Sequence, residues 1–179
     1  MKRFAVALAI LLISAAAAEA AGLKLASADL AAGEFVPRFI YDQSGCSGGN
    51  HSPALAWSDP PAGTKSFAVT VFDPDAPTGR GWWHWVVYDI PASLRALPQD
   101  AGAASGANLP QGARQTANDF GGPGYGGPCP PPGSPHRYVF TLYALDAASI
   151  GAGVGPAEVA AGLKPHALAE ASFTVSYGR

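Results

Sequence analysis

The sequence predicts a mainly β protein. Glycine and proline occur 22 and 17 times among the 179 residues, and in a helix interior each glycine costs roughly 1 kcal/mol and each proline roughly 3 kcal/mol. Short segments of β-branched and aromatic residues lie between these turn-forming residues, as is typical of strands. The 8 phenylalanines, 6 tyrosines and 4 tryptophans supply apolar surface for a core, so a disordered chain is not expected.

Five segments carry the strand pattern, and a proline inside the first of them favours an edge strand or a bulge. In the second segment, Phe67, Val69 and Val71 share one face by the two-residue repeat, and Asp73 continues that face. The predicted strands are Phe35–Tyr41, Ser66–Phe72, Trp82–Ile90, Tyr138–Leu145 and Ser172–Tyr177.

Helix is predicted only near the carboxyl end. The segment Pro156–Gly162 has proline at its start and glycine at its end, and Pro165–Ala171 is expected to open in the same way. Residues 92–117 are rich in alanine, glycine and proline with little periodicity, which predicts a long surface loop. Because no repeat of about 20 to 50 residues occurs and no linker is evident, residues 21–179 are predicted to form a single domain.

Residues 1–20 have the layout of a secretory signal peptide. Lys2 and Arg3 precede an apolar run from Phe4 to Ile13, and Ala18-Glu19-Ala20 offers a cleavage site between small residues. The other interpretation, a membrane anchor, needs about 20 apolar residues, and this run is shorter. We therefore expect cleavage near Ala20 and a periplasmic or secreted protein without stable membrane insertion.

Cys46 and Cys129 are the only two cysteines, and both lie in glycine-rich segments. An oxidising compartment permits a disulfide between them, and the long loop that it closes would contribute about 4 kcal/mol of stability. Two buried free thiols or a reactive pair are the alternatives.

Two segments place polar residues beside apolar strands, and each has a structural as well as a functional interpretation. Asp73 and Asp75, stiffened by Pro77, are suited to bind a cation, share a proton or hold a histidine, but they also fit an ordinary acidic turn. His84 lies among tryptophans and is either a core residue or a titratable group in an apolar cleft. Strand alternation places His84 on the face of Trp82 and Val86, and it places Trp83, Trp85 and Val87 on the other face.

A third segment runs from Gly121 to Pro135, where twelve of fifteen residues are glycine or proline. It predicts a rigid loop whose backbone carbonyls and remaining N–H groups face outward. His136 and Tyr138 follow on one face of a strand. Loop N–H groups, imidazoles and a tyrosine hydroxyl are donors suited to an oxyanion or phosphate.

Other chemistries find less support in the sequence. By residue type, His84, His136 and Asp73 could hold zinc, but their spacing does not require it. The sequence also contains no Gly-x-Ser-x-Gly, His-Glu-x-x-His or phosphate-loop motif. No metal or cofactor is therefore predicted.

Taken together, these segments resemble the phosphatidylethanolamine-binding protein family, also called Raf kinase inhibitor-like proteins, and its bacterial branch in particular. The resemblance implies a β-sandwich with a large antiparallel sheet packed on a smaller one and short C-terminal helices. The matching stretches are 46–53, Trp57, 72–77, 81–87, 118–121, 124–131 and 136–138.

The same resemblance implies a small pocket that binds anions such as phosphate or a phospho-head-group. Eukaryotic relatives carry a longer insert before the tryptophan segment, whereas only residues 78–81 intervene here, so the wall facing the ligand differs. Carried over by position, the lining residues are Asp73, Asp75, Pro77, His84, Pro130, Pro131, His136 and Tyr138.

We therefore expect an exported protein that binds a small anion without catalysis and that can inhibit a kinase-type or protease-type partner. The alternative is a small hydrolase with His84 or His136 as general base and Asp73 orienting it, although no nucleophile is recognisable. A structural domain with a vestigial pocket is a third hypothesis. Nucleic acid is not an expected partner, because residues 21–179 carry 9 basic and 12 acidic side chains, a net charge of −3, and the basic ones are scattered.

Overall fold

The computed structural model of the protein describes residues 22–151, 153 and 155–179, so the expected signal peptide lies outside the described residues. Two antiparallel sheets carry most of the regular structure. None of the helices in these ranges combines the length and the apolar character that crossing a membrane requires. The strands are β1 Lys24–Ala26, β2 Leu55–Ser58, β3 Ser66–Asp73, β4 Trp82–Pro91, β5 Ala96–Leu97, β6 Arg114–Gln115, β7 His136–Leu145 and β8 Ala167–Tyr177.

The larger sheet has the strand order β6-β4-β3-β7-β8 and the smaller one the order β1-β2-β5. The inner face of β3 carries Phe67, Val69 and Val71, each at most 1% exposed, as its two-residue repeat predicts. Trp57 of the smaller sheet packs on Phe67 with ring centroids 5.3 Å apart. A single apolar core therefore joins the two sheets, which confirms the mainly β sandwich expected from the sequence.

Helix α1, Pro156–Leu163, lies against the outer face of the larger sheet. Its Val159 and Leu163 are buried in a second apolar cluster with Val86 and Tyr143 of the sheet. Proline at the first turn matches the predicted start. The helix has only eight residues, so it covers only part of this face.

Strand β4 contains one residue more than its partner at the edge where the β3–β4 connection lies. Val71 of β3 pairs with Trp85, whereas the next residue, Phe72, pairs with Trp83. His84 is therefore the extra residue of a β-bulge. A bulge of this kind disrupts the strict alternation of side chains between the two faces.

The bulge makes part of the predicted alternation wrong. His84 does share a face with Trp82 and opposes Trp83, as predicted. Trp85, however, lies on the same inner side as His84, and Val86 lies on the outer side with Trp83.

Three local predictions are also wrong. Residues 35–41 form no strand, because Pro37 fixes its backbone angle and lacks an N–H, and the chain makes a 3₁₀ turn at Pro37–Phe39. Residues 165–171 form no second α-helix: a 3₁₀ turn at Lys164–His166 leads directly into β8. The predicted loop at 92–117 contains the two-residue strands β5 and β6.

Cys46 and Cys129 form a disulfide, and no described cysteine is free. The bond ties the loop after the first 3₁₀ turn to the glycine- and proline-rich loop before β7. The predicted pairing is thus confirmed over the two thiol alternatives. A structural disulfide is typical of proteins outside the reducing cytosol.

Replacing both cysteines by serine is expected to lower the free energy of unfolding by about 4 kcal/mol, because the cross-link joins positions 83 residues apart and restricts the unfolded chain. Urea denaturation followed by tryptophan fluorescence measures the change. Wild-type protein kept in a reducing agent is the control and is expected to match the variant. A difference below about 1 kcal/mol would contradict the assigned role of the bond.

Candidate functional site

A cavity of about 430 Å³ opens at one edge of the larger sheet. Strand β3 ends at this edge, and β4 and β7 begin there, because neighbouring strands are antiparallel. The side chains at these three strand ends therefore converge. The lining residues are Ser44, Asp73, Ala76, Pro77, Thr78, Trp82, His84, Asp119, Phe120, Cys129, Pro130, Pro131, His136 and Tyr138. Seven of the eight residues predicted to bind a ligand lie among them, and their binding role stays a prediction.

Asp73 and His136 form a buried pair in the cavity wall. His136 Nδ1 donates to Asp73 Oδ2 at 2.7 Å, and the two side chains are 12% and 4% exposed. The other carboxylate oxygen of Asp73 accepts the backbone N–H of Asp75 at 2.8 Å. Both oxygens are thus engaged, and the carboxylate fixes the orientation of the imidazole. Among the described residues, no three His, Cys, Asp or Glu side chains form a group that could hold a metal ion.

His84 is fixed by reciprocal hydrogen bonds with Gly126. Its Nδ1 lies 2.6 Å from the Gly126 carbonyl oxygen, and since a carbonyl only accepts, Nδ1 carries the hydrogen. The Gly126 N–H in turn donates to the His84 carbonyl oxygen at 2.8 Å. Burial lowers the pKa of His84 to about 4, against an opposing effect of the Gly126 hydrogen bond. His84 is therefore neutral at neutral pH, and its Nε2 can only accept.

Three lining side chains have a buried polar atom without a hydrogen-bond partner in the protein: Trp82 Nε1, His84 Nε2 and Tyr138 Oη. Burial, and then the charge of Asp73, raises the pKa of Tyr138, so its hydroxyl keeps its proton. A buried polar atom left unpaired costs about 1–3 kcal/mol. The cavity wall thus concentrates unused hydrogen-bonding capacity.

Three N–H groups of the glycine- and proline-rich loop are occupied within the protein and are not available as the predicted donors. The N–H groups of Gly124, Gly126 and Gly127 donate to the Thr116 carbonyl, the His84 carbonyl and the Asn50 side chain, respectively. A Cβ at Gly127 would collide with the Phe39 carbonyl, which explains why glycine is needed there. Pro130 and Pro131 supply apolar wall.

Asp75 does not line the cavity, contrary to its predicted position. Strand β3 ends at Asp73, so the alternation that would place both carboxylates on one side stops before Asp75. Its carboxylate instead accepts the Arg137 backbone N–H and two guanidinium N–H groups at 2.7–2.9 Å. The Arg137 guanidinium, and then its backbone N–H, lower the pKa of Asp75 to about 2.

Besides Trp82, which was placed only on the face of His84, sequence reasoning missed two important lining residues, Asp119 and Phe120. Asp119 accepts the Trp83 backbone N–H at 2.8 Å and pairs with Arg80 at 3.3 Å. The Phe120 ring lies 5.4 Å from the His84 ring. The only available signal was their position in the short 118–121 stretch of the family resemblance.

Fold and site together define a two-sheet β protein with a partly polar cavity where three strand ends meet. The sequence profile of the phosphatidylethanolamine-binding protein family matches residues 26–178, and the chain belongs to this family. It is 49% identical over 158 residues to UPF0098 protein YbhB of Escherichia coli, covering 87% of this chain and 99% of that one.

Two solved structures have the same fold. The crystal structure of Escherichia coli YbcL, described as a new member of the mammalian PEBP family, superposes with a TM-score of 0.84 at 45% identity. The phosphatidylethanolamine-binding protein homologue CT736 of Chlamydia trachomatis gives a TM-score of 0.71 at 30% identity. Each match covers 88% of this chain and 98% of the other.

Exchanging His84 for glutamine is expected to flatten the pH dependence of stability. The pKa of His84 is about 4 when folded and 6.5 as the ordinary value, so between these pH values the unfolded chain binds a proton that the folded chain does not. Stability therefore falls as the pH drops through this window, by roughly 3 kcal/mol from this one group. Urea denaturation of both proteins at pH 7 and pH 4 measures the difference. Equal losses in wild type and variant would refute the assignment.

Proposed function

We propose that the chain is an exported protein that binds a small phosphate-type anion in this cavity without catalysis. The observation that carries the proposal is the group of three unpaired buried atoms on Trp82, His84 and Tyr138. They lie beside an imidazole that Asp73 already orients. A volume of about 430 Å³ falls in the usual range of small-molecule sites, about 300–1,000 Å³.

The donor and acceptor pattern favours a protonated oxyanion. The Trp82 N–H and the Tyr138 hydroxyl can donate to charged oxygens, whereas the neutral His84 Nε2 can accept from a ligand O–H. Hydrogenphosphate and a protonated phosphomonoester offer both kinds of oxygen, but sulfate at neutral pH has no proton to donate. A phospholipid head group is a phosphodiester without a P–O–H, so for phosphoethanolamine its ammonium group would have to donate the hydrogen bond to His84 Nε2.

Export is supported by the disulfide and by the signal-peptide layout of residues 1–20. Outside the cytosol, a protease is a more suitable inhibited partner than a kinase. Such a partner would contact the surface around the cavity, where the exposed Arg80 pairs with the lining residue Asp119.

A hydrolase is the second candidate, and the Asp73–His136 pair is the observation that favours it, since a carboxylate commonly orients a catalytic imidazole. Against it, no hydroxyl of a described lining residue hydrogen-bonds to either histidine; Thr78, for example, donates to the Gly81 carbonyl. Incubation with p-nitrophenyl acetate and p-nitrophenyl phosphate tests this candidate. Turnover that is lost in a His136→Gln variant would establish it and overturn the non-catalytic proposal.

Tyr138→Phe and Tyr125→Phe are expected to separate binding from stability. Tyr138 lines the cavity and its hydroxyl has no protein partner, so Tyr138→Phe is expected to weaken phosphate binding about tenfold to a hundredfold, as for a hydrogen bond to a charged group. Its stability should stay the same or rise. Titration calorimetry with inorganic phosphate and urea denaturation measure the two quantities.

Tyr125→Phe is the matched control. The Tyr125 hydroxyl donates to the Phe39 carbonyl at 3.0 Å in the core, so its removal is expected to cost about 1–2 kcal/mol of stability and to leave phosphate affinity unchanged. Unchanged phosphate affinity in Tyr138→Phe, or loss of affinity in both variants, would refute the proposed site.

Sulfate tests the acceptor role of His84. Because His84 Nε2 requires a proton from the ligand, sulfate is expected to bind at least about tenfold more weakly than phosphate at pH 7. The same calorimetric titration measures it. Equal affinities for the two anions would show that His84 accepts no hydrogen bond from the ligand.

A further inference from the structure

A second cavity lies on the opposite face of the larger sheet, beside helix α1. Its volume is about 480 Å³, somewhat more than that of the first cavity. The sheet supplies Phe72, Trp83 and Val139, and the helix side supplies Ala157, Ala161 and Lys164. We call this space the outer groove. Nothing in the proposed function uses it.

The outer groove exists because α1 covers only one end of the sheet. Val159 and Leu163 fill the space over Val86 and Tyr143. The remaining helix positions that face the sheet are alanines, which are too short to reach the rings of Phe72 and Trp83. These two rings pack on each other at 4.4 Å between centroids and form the floor of the groove.

The polar groups of the groove are unevenly distributed. Thr70 is buried, and none of the described lining side chains has a buried polar atom without a hydrogen-bond partner, so the floor requires no polar ligand atom. Lys164, at the end of α1, is exposed and takes part in no ion pair within the described residues. An apolar trough thus borders on one unpaired positive charge.

The strands of the floor do not suit an extended peptide. β3 and β7 have a long strand on both sides. β6 pairs with only two residues of β4, but the N–H and the carbonyl of Trp83 are both bonded to Asp119. These backbone groups therefore cannot accept an added strand. A suitable ligand is therefore an extended apolar molecule that carries one negative charge and has no peptide backbone in need of hydrogen bonds.

We propose that the outer groove binds a medium-chain fatty acid, with the alkyl chain over Phe72 and Trp83 and the carboxylate at Lys164. The floor rings and the alanines of α1 supply apolar contact, and the ammonium group of Lys164 fixes the direction of the chain. This site is separate from the anion cavity and does not depend on the proposed function.

Titration calorimetry with sodium octanoate, decanoate and dodecanoate tests the proposal. Each added methylene is expected to raise the affinity about fourfold until the groove is filled, since burial of one methylene is worth a fixed free energy. Absence of binding, or an affinity that does not depend on chain length, would overturn the proposal.

Two variants locate the ligand. Ala161→Trp fills the groove from an exposed helix position and is expected to weaken dodecanoate binding at least tenfold, whereas Gly162→Trp, next to it but outside the groove lining, is expected to leave it unchanged. Lys164→Gln is expected to weaken dodecanoate about threefold to fivefold, as for an exposed ion pair, without affecting dodecanol. Lys65→Gln, an exposed lysine outside the groove lining, is the charge control.

Other patterns would overturn the assignment. Full dodecanoate affinity in Ala161→Trp would show that the ligand binds elsewhere. Equal losses of dodecanoate affinity in Lys164→Gln and Lys65→Gln would show that Lys164 has no specific role. Sedimentation analysis tests whether a second copy of the chain occupies the groove instead. Dimerisation that Ala161→Trp abolishes would assign the groove to self-association instead of fatty acid.

Discussion

The cavity depends on the reciprocal hydrogen bonds between His84 and Gly126. The loop that contains Gly126 is too rich in glycine and proline for helix or strand, so it has no ladder of backbone bonds to hold it. Both the backbone carbonyl and the imidazole of His84 form hydrogen bonds with this one residue of the loop. The disulfide at Cys129 and the Arg179 guanidinium, which donates to Pro130 at 2.6 Å and Gly45 at 2.8 Å, hold the loop further along. The wall is therefore held at several points although it lacks regular structure.

Three aspartates lie at or beside the cavity, and each of them has a polar side-chain partner. Asp73 is paired with His136, Asp75 with Arg137 and Asp119 with Arg80. The guanidinium groups of Arg137 and Arg80 neutralise Asp75 and Asp119, and both oxygens of Asp73 accept N–H donors. The hydrogen-bonding capacity that stays unused lies on the neutral side chains of Trp82, His84 and Tyr138.

The sequence predicted most of the long strands and the convergence of Asp73, His84 and His136, because the two-residue repeat of β3 is uninterrupted and the polar residues stand at strand ends. Short strands escaped prediction, since the two residues of β5 or β6 carry no period. Pro156 and Pro165 offer the same start signal, but only the first is followed by Val159 and Leu163 at helical spacing. The orientation of the Asp75 side chain depends on its ion pair with Arg137, 62 residues away. A local sequence pattern cannot indicate a contact over that distance.

The bulge at His84 has a consequence for the comparison of relatives. Asp73 and Trp82 line the first cavity, whereas their neighbours Phe72 and Trp83 line the outer groove, so only the larger sheet separates the two cavities. A sequence alignment that inserts or removes one position in β4 would exchange the residues attributed to each cavity. Correct alignment of the extra residue decides which substitutions among relatives belong to the first cavity and which belong to the outer groove.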